Sequence, residues 1–304
     1  MSSTPPGGAA PYRCCVSTLA VDIGGTKLEV GVVDDDGRIV DRRRVATPSG
    51  GDGETLFSAL MRLVEAVPGA GSAVRIGVGC GGPMAPLGET VSPLNIPAWE
   101  SFPLRSRLAD EFGLPVHVDN DAKALALAEG WRGAAVGVSD FLAMVVSTGV
   151  GGGIVSGGRL LDGATGNAGH VGHVHVADGT EPWERHPAGL LESEASGTAI
   201  ALRTGSSAAA ASPEVIDRTG RLVGRAVASV ANLLDLRLAV VAGSVALGFG
   251  EPFFAAAQTE VDRLCRLDHS LGTRIVPAGL GADGPLVGAA AVALRAEGAD
   301  VGVR

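Results

Sequence analysis

The sequence predicts an α/β protein made of two α/β domains of duplicated topology flanking a cleft. Three observations lead there. Residues 16–45 read as strand, glycine turn, strand, polar turn and a third alternating strand. The same unit recurs at 141–162. Around the two copies, segments with helical spacing of apolar residues alternate with short β-branched runs, the pattern of strands with helices on their faces.

Composition agrees with this and narrows the function classes. A chain of 304 residues with 46% hydrophobic content can bury a sizeable core. Glycine is abundant, at 46 residues, but falls in short clusters, which favours tight turns over a fibrous repeat. A formal charge of −9 offers no footprint for nucleic acid or an anionic membrane. Lysine occurs only at positions 27 and 123. No run approaches the roughly 18 apolar residues of a membrane helix. Cys14 and Cys15 are adjacent, and Cys80 and Cys265 are isolated, so neither a disulfide framework nor a metal knuckle is written here. The expectation is a cytoplasmic, reduced protein. Residues 1–15 are rich in Pro, Gly and Ser without a signal-peptide pattern, and are expected to form a disordered tail.

In chain order, the first unit is followed by a helix at 54–66, a strand at 74–80 and the turn Gly81–Gly88. A loop at 92–104, a helix near 104–112 and a strand at 114–122 come next. A helix at 122–130 precedes the second unit, and a long helix spans 214–235. The segment 237–246 reads as a strand, 251–266 as a helix, and 279–290 as a late glycine-rich turn. The expected domains are 16–120, completed by a C-terminal helix at 287–304, and 121–286.

The chemistry sits at the turns. In Asp22-Ile23-Gly24-Gly25-Thr26-Lys27 the glycines lie between two strands, not between a strand and a helix, so this is neither a P-loop nor a dinucleotide turn. Without Cβ atoms, Gly24 and Gly25 let backbone N–H groups approach a phosphate, and Thr26 adds a hydroxyl. A carboxylate at Asp22 beside phosphates requires a divalent cation between them, and Mg²⁺ is the expected one. The second turn, Ser147-Thr148-Gly149-Val150-Gly151-Gly152-Gly153, offers the same donors. Between them, Val118-Asp119-Asn120-Asp121-Ala122 ends a strand and opens a helix. A carboxylate there can accept the proton of an attacking hydroxyl during phosphoryl transfer. The same residues are also good helix caps, and one residue can cap while another catalyses.

Taken together, D-I-G-G-T-K, V-D-N-D-A, S-T-G-V-G-G-G and G-x-x-G-N-A-G-x-x-G-H resemble the ROK family of bacterial sugar kinases and related repressors. The match runs in order from about residue 18 to 290. The resemblance implies the actin-like, hexokinase-type ATPase fold, with ATP and Mg²⁺ as cofactors and a sugar as substrate. It implies that Asp121 is the general base, and that Asp22, Gly24, Gly25, Thr26 and Lys27, with Ser147, Thr148, Gly149 and Gly151, handle phosphates. Asn95, Asn120, Asp121, His170, His173 and Glu192 would bind the sugar. Gly243, Ser244 and the stretch Gly281–Gly288 would face the adenosine. A homodimer is the implied assembly.

Three departures from the family pattern stand out. His170 replaces a usual glutamate in His170-Val171-Gly172-His173. A neutral imidazole both donates and accepts, so sugar preference at C1 or C2 could change, or His170 could simply be satisfied by backbone groups. The family's zinc cysteines are replaced by Trp183, Arg185 and Leu190, leaving His173 without thiolate partners, so no structural zinc is expected. Packing of Trp183 and Leu190 would hold that loop instead. Lys123 stands where asparagine is common, two residues after the expected base, and could perturb its environment.

The expected reaction is phosphorylation of O6 of glucose or a glucose-like hexose. An aminohexose of the kanosamine or N-acetylmannosamine type is the alternative substrate, and polyphosphate an alternative donor. A sugar-responsive repressor ranks lower, since no winged-helix sequence precedes the first strand and the chain is acidic.

Overall fold

A computed structural model describes residues 16–178 and 187–304. The expected tail at 1–15, and the zinc-segment positions Trp183 and Arg185, lie outside the described residues.

The first half contributes β1 (Ser17–Ile23), β2 (Lys27–Asp34), β3 (Ile39–Ala46), α1 (Gly53–Glu65), β4 (Arg75–Cys80), α2 (Leu104–Phe112), β5 (Val116–Asn120) and α3 (Asp121–Arg132). The second contributes β6 (Phe141–Val146), β7 (Val150–Ser156), β8 (Arg159–Leu160), α4 (Leu191–Ala195), α5 (Gly197–Thr204) and α6 (Pro213–Leu234). It continues with β9 (Leu238–Ala242), α7 (Ser244–Phe249), α8 (Glu251–Leu264), β10 (Arg274–Pro277) and α9 (Gly284–Ala296).

The two sheets run β3-β2-β1-β4-β5 and β10-β9-β6-β7-β8. Each has an antiparallel meander of three strands (β1–β3; β6–β8) and a first strand extended by parallel neighbours (β4 and β5; β9 and β10). The duplication read from the two glycine turns therefore extends across both sheets.

Strand residues are buried on both faces, which is why β1 and β6 read as near-continuous apolar runs. Leu19, Val21 and Ile23 of β1 pack with Leu56, Leu60 and Leu104 from α1 and α2, while Ala20 turns to Leu286, Ala289 and Ala290 of α9. In β6, Leu142, Met144 and Val146 join Leu222, Val223 and Phe253 of α6 and α8, and Phe141 and Ala143 face α3. The layer between the sheets is the α3–α9 pair.

Small residues make that layer possible. A Cβ on Gly77 of β4 would lie 1.9 Å from the Ala289 carbonyl oxygen, and one on Gly288 would lie 2.6 Å from that of Ala124. Close backbone contact thus accounts for part of the Ala/Gly richness. At the far end of α3 the buried Glu129 carboxylate accepts the N–H groups of Ala134, Gly279 and Leu280, fixing the turn that leads into α9.

Several sequence expectations need correction. The segment 237–246 is a strand only to Ala242; Gly243 adopts φ 101°, and Ser244 onward is helical. A Cβ at Gly243 would sit 2.2 Å from the Val146 carbonyl oxygen, so no other residue makes this turn without displacement. The C-terminal helix is Gly284–Ala296, not 287–304. Its extension runs instead to the second sheet, where the Leu160 N–H donates to the Arg304 carbonyl and the Arg304 N–H to that of Gly158. The elements α4, α5 and β10 had no counterpart in the sequence reading. Among the described residues no helix is long and apolar enough to cross a membrane.

Candidate active site

The first turn is closed by the Gly24 N–H donating to the Lys27 carbonyl (3.0 Å) and pinned by the Thr47 hydroxyl donating to the Gly24 carbonyl (2.7 Å). The second is closed by the Ser147 N–H on the Gly149 carbonyl (2.9 Å) and held from behind by α5, whose Gly197 N–H donates to the Ser147 carbonyl (2.7 Å). The Ser147 hydroxyl lies 2.9 Å from that of Ser244 at the start of α7.

Both turns open on one cavity of about 520 Å³. Its walls include Asp22, Gly24, Gly25, Thr26, Lys27, Ser147, Thr148, Gly149, Gly151, Gly243 and Ser244, together with Asn95, Asn120, Asp121, His170, His173 and Glu192. The residues expected to handle phosphates, sugar and adenosine at these positions thus line one cleft, whereas Asp119, Lys123 and Leu190 do not. A larger cavity, about 1230 Å³, is walled by Asp119, Lys123, Asp162 and the C-terminal residues. It contains neither glycine turn nor Asp121, so size alone does not identify the site.

Asn95 registers the two turns. A Cβ on Gly25 would fall 2.6 Å from the Asn95 Cβ, and one on Gly149 would fall 3.2 Å from its Nδ2 and 3.1 Å from Glu192 Oε2. Glu192 in turn accepts the Val150 N–H at 2.7 Å, which holds this carboxylate at the end of the second turn.

The three polar residues at the β5–α3 junction divide the work. Asn120 caps α3, its Oδ1 accepting from the N–H groups of Ala122 (3.0 Å) and Lys123 (3.4 Å). Asp119 turns away from the cleft to the Lys123 ammonium (3.0 Å). Asp121 lines the cleft, and its Oδ1 accepts from the Ala122 N–H (2.8 Å). Burial raises the Asp121 carboxyl above its ordinary range; the Ala122 N–H and His170 oppose that, and Glu192 reinforces it. The Lys123 ammonium is held by Asp119 (3.0 Å) and Asp162 (2.6 Å) rather than by Asp121.

Asp22 is buried, and burial pushes its carboxyl to about 7 despite Lys27 at 3.5 Å; the Asp121 charge adds to the rise. Behind it the buried Glu29 takes Lys27 (2.9 Å) and both carboxylate bonds from Arg44 (2.8 Å each). Burial alone would raise Glu29, but Arg44 and Lys27 bring it below the usual range. The positive charge of Lys27 is therefore shared, and Asp22 remains short of a cation. That deficit fits a magnesium ion arriving with its own phosphate oxygens. Among the described residues no group of three or more His, Cys, Asp or Glu could hold a metal alone.

His170 has a backbone partner and also lines the cleft. Its Nδ1 lies 2.9 Å from the Asn167 carbonyl oxygen, a backbone partner, while the ring faces the cleft beside Gly82. Of the replaced zinc positions, Leu190 bridges to His175 in a short antiparallel contact. Sequence reasoning did not assign Arg44, Gly81, Gly82, Leu94, Leu125 or Leu247, all of which line the cleft. The Gly-Gly-Pro run after β4 was the available signal for two of them.

A family model described as ROK family matches residues 18–296. An N-acetylmannosamine kinase from Citrobacter koseri is 39% identical over 252 residues, covering 77% of this chain and 86% of the relative. One from Escherichia coli O7:K1 is 34% identical over 298 residues, covering 92% and 99%. Among solved structures, a ROK family glucokinase from Streptomyces griseus in complex with glucose and AMPPNP shares 30% identity and a TM-score of 0.81, over 92% of this chain and 99% of that one. The fold is the α/β, actin-like ATPase fold of these sugar kinase structures.

Proposed function

The chain belongs to the ROK family, and from that premise we propose that it is an ATP-dependent hexose kinase transferring the γ-phosphoryl group to O6 of glucose or a glucose-like sugar. The observation that carries the reading is geometric. Two glycine turns open on one cleft that Asp121 also lines, its carboxyl raised by partial burial.

In this reading the backbone N–H groups of Gly24, Gly25, Gly149 and Gly151, and the hydroxyls of Thr26, Ser147 and Thr148, receive the phosphates, with Lys27 adding charge. Gly243 and Ser244 lie on the adenosine side. Magnesium, bound with the nucleotide, supplies neutralisation of the phosphate charge, and Asp22 is the carboxylate that would face it or its water. Asn95, Asn120, His170, His173 and Glu192 orient the sugar. Asp121 accepts the proton from the sugar hydroxyl as its oxygen bonds to the γ-phosphorus. The bond from that phosphorus to the β–γ bridging oxygen breaks, and ADP leaves with the electron pair. Burial of Asp121 strengthens it as a base at neutral pH.

A second reading, an aminohexose or N-acetylated hexose as acceptor, is favoured by the N-acetylmannosamine kinases among the relatives and by His170. A coupled assay with Mg·ATP over a panel of hexoses, aminohexoses and N-acetylhexosamines separates the two. Highest kcat/KM with glucose is the expected result, and highest kcat/KM with N-acetylmannosamine or an aminohexose selects the second reading. Absence of turnover across the panel, with ATP and with polyphosphate, would overturn both.

A further inference from the structure

The segment 162–170 crosses from the second half of the molecule to the first, and the phosphate-transfer chemistry does not account for how it is held. Asn167 makes the crossing. Its Oδ1 accepts the Met84 N–H at 3.1 Å and its Nδ2 donates to the Met84 carbonyl at 2.9 Å. One side chain thus satisfies both backbone groups of a residue 83 positions away, as a neighbouring strand would. Met84 follows Gly81, Gly82 and Pro83, and the two glycines line the cleft.

The backbone of the same residue faces the other way. The Asn167 carbonyl lies 2.9 Å from His170 Nδ1. A carbonyl can only accept, so Nδ1 carries the hydrogen, and in the neutral form of the ring Nε2 is then the acceptor. That nitrogen is directed at Gly82, where a Cβ would lie 3.5 Å from it. Upstream, the Lys123 ammonium fixes the segment through the Gly166 carbonyl (3.2 Å) and Asp162 (2.6 Å). Asn167 does not itself line the cleft.

Resting on the hexose-kinase reading for the nature of the ligand, we propose that Asn167 is a positioning residue for sugar recognition. It sets His170 as a hydrogen-bond acceptor toward a sugar hydroxyl and ties that acceptor to the Gly82–Met84 wall of the opposite half. His170 thereby offers a sugar hydroxyl an acceptor nitrogen, Nε2, on the cleft side. Recognition at this corner then depends on a bridge between the two halves and not on His170 alone.

The test combines a spectroscopic readout on the protein without sugar with kinetics on Asn167→Ala. Nitrogen-15 NMR of histidine-labelled protein, with the His170 signal identified by its loss in His170→Gln, reports the tautomer directly. The expected result is a neutral ring protonated at Nδ1 in the wild type and a tautomer mixture in Asn167→Ala. For the sugar that the wild type phosphorylates best, KM should rise roughly tenfold in Asn167→Ala, with kcat changing less than about threefold. A wild-type ring protonated at Nε2 would overturn the assignment even if the variant proved unstable. An unchanged KM and tautomer in a folded Asn167→Ala would overturn it equally. If the wild type turns over no hexose, the kinase reading fails by itself, and the tautomer still decides the role of Asn167.

Discussion

Asp22 and Asp121 lie on either side of Gly79 of β4: a Cβ there would lie 3.9 Å from Asp22 Oδ1 and 3.6 Å from the Asp121 Cα. Both line one cleft, Asp22 buried and Asp121 partly so, and both are held above the ordinary carboxylate range, Asp22 at about 7. Asp22, proposed to face the magnesium, and Asp121, the proposed base, thus share one cleft.

The raised carboxyl of Asp22 gives a pH dependence with a definite sign. Its folded value, about 7, exceeds the ordinary 3.8, so the folded state holds an extra proton between those limits. Its contribution to stability is complete below about pH 4 and is lost as pH rises through 7. Asp22→Asn should therefore raise the thermal midpoint of the ligand-free protein at pH 8 and leave it little changed at pH 4. Mg·ATP binding to the wild type should tighten from pH 5.5 to 7.5 and release a proton, which calorimetry in buffers of different ionisation enthalpy would register. Asp22→Asn should abolish that release.

Lys123 is nearly inaccessible, its side chain 3% exposed, and it is the partner of Asp119, whose side chain is 16% exposed. Lys123→Met should cost roughly 3 kcal/mol, because it leaves that carboxylate without its cation. Burial already raises the Asp119 carboxyl, with Lys123 opposing the rise. Removing the opposition raises it further, so the variant should lose more stability as pH increases. Thermal melts at pH 5 and pH 8 check this: the gap from wild type should be wider at pH 8.

The contact between β4 and α9 is a backbone contact. Gly77→Ala would place a methyl group 1.9 Å from the Ala289 carbonyl oxygen, and backbone cannot swing aside as a side chain does. A loss of about 3 kcal/mol is expected, seen as a fall of several degrees in the thermal midpoint. An unchanged midpoint would mean that α9 does not dock on β4 as described.

Much of this was legible because it is local. A strand–glycine–strand turn is written in adjacent residues, so both turns and the duplicated unit could be read directly. The Asn120–Asp121 junction was readable for the same reason, although which residue caps and which faces the cleft depended on the direction of the strand. What escaped were features set by distant partners. Gly243 ends β9 because the Val146 carbonyl leaves no space for a Cβ, and nothing near Gly243 reports Val146. Asn95 was named only through the resemblance, and its contact with Gly149 exists only after both halves assemble. The strand β10 has four residues and ends in proline, too short to carry a period. The fate of the Lys123 charge depended on Asp162, 39 positions along the chain.

The central claim is that Asp121 takes the proton of the attacking hydroxyl. Asp121→Asn retains size and can still accept the Ala122 N–H, so ligand sites should survive while the base is lost. Single-turnover phosphorylation of the preferred hexose by Mg·ATP, with sugar affinity measured in parallel by calorimetry, is the most direct measurement. The account predicts a rate lowered by about 10²–10⁴ with sugar affinity within a few-fold of wild type. A variant that phosphorylates the sugar at close to the wild-type rate would contradict it.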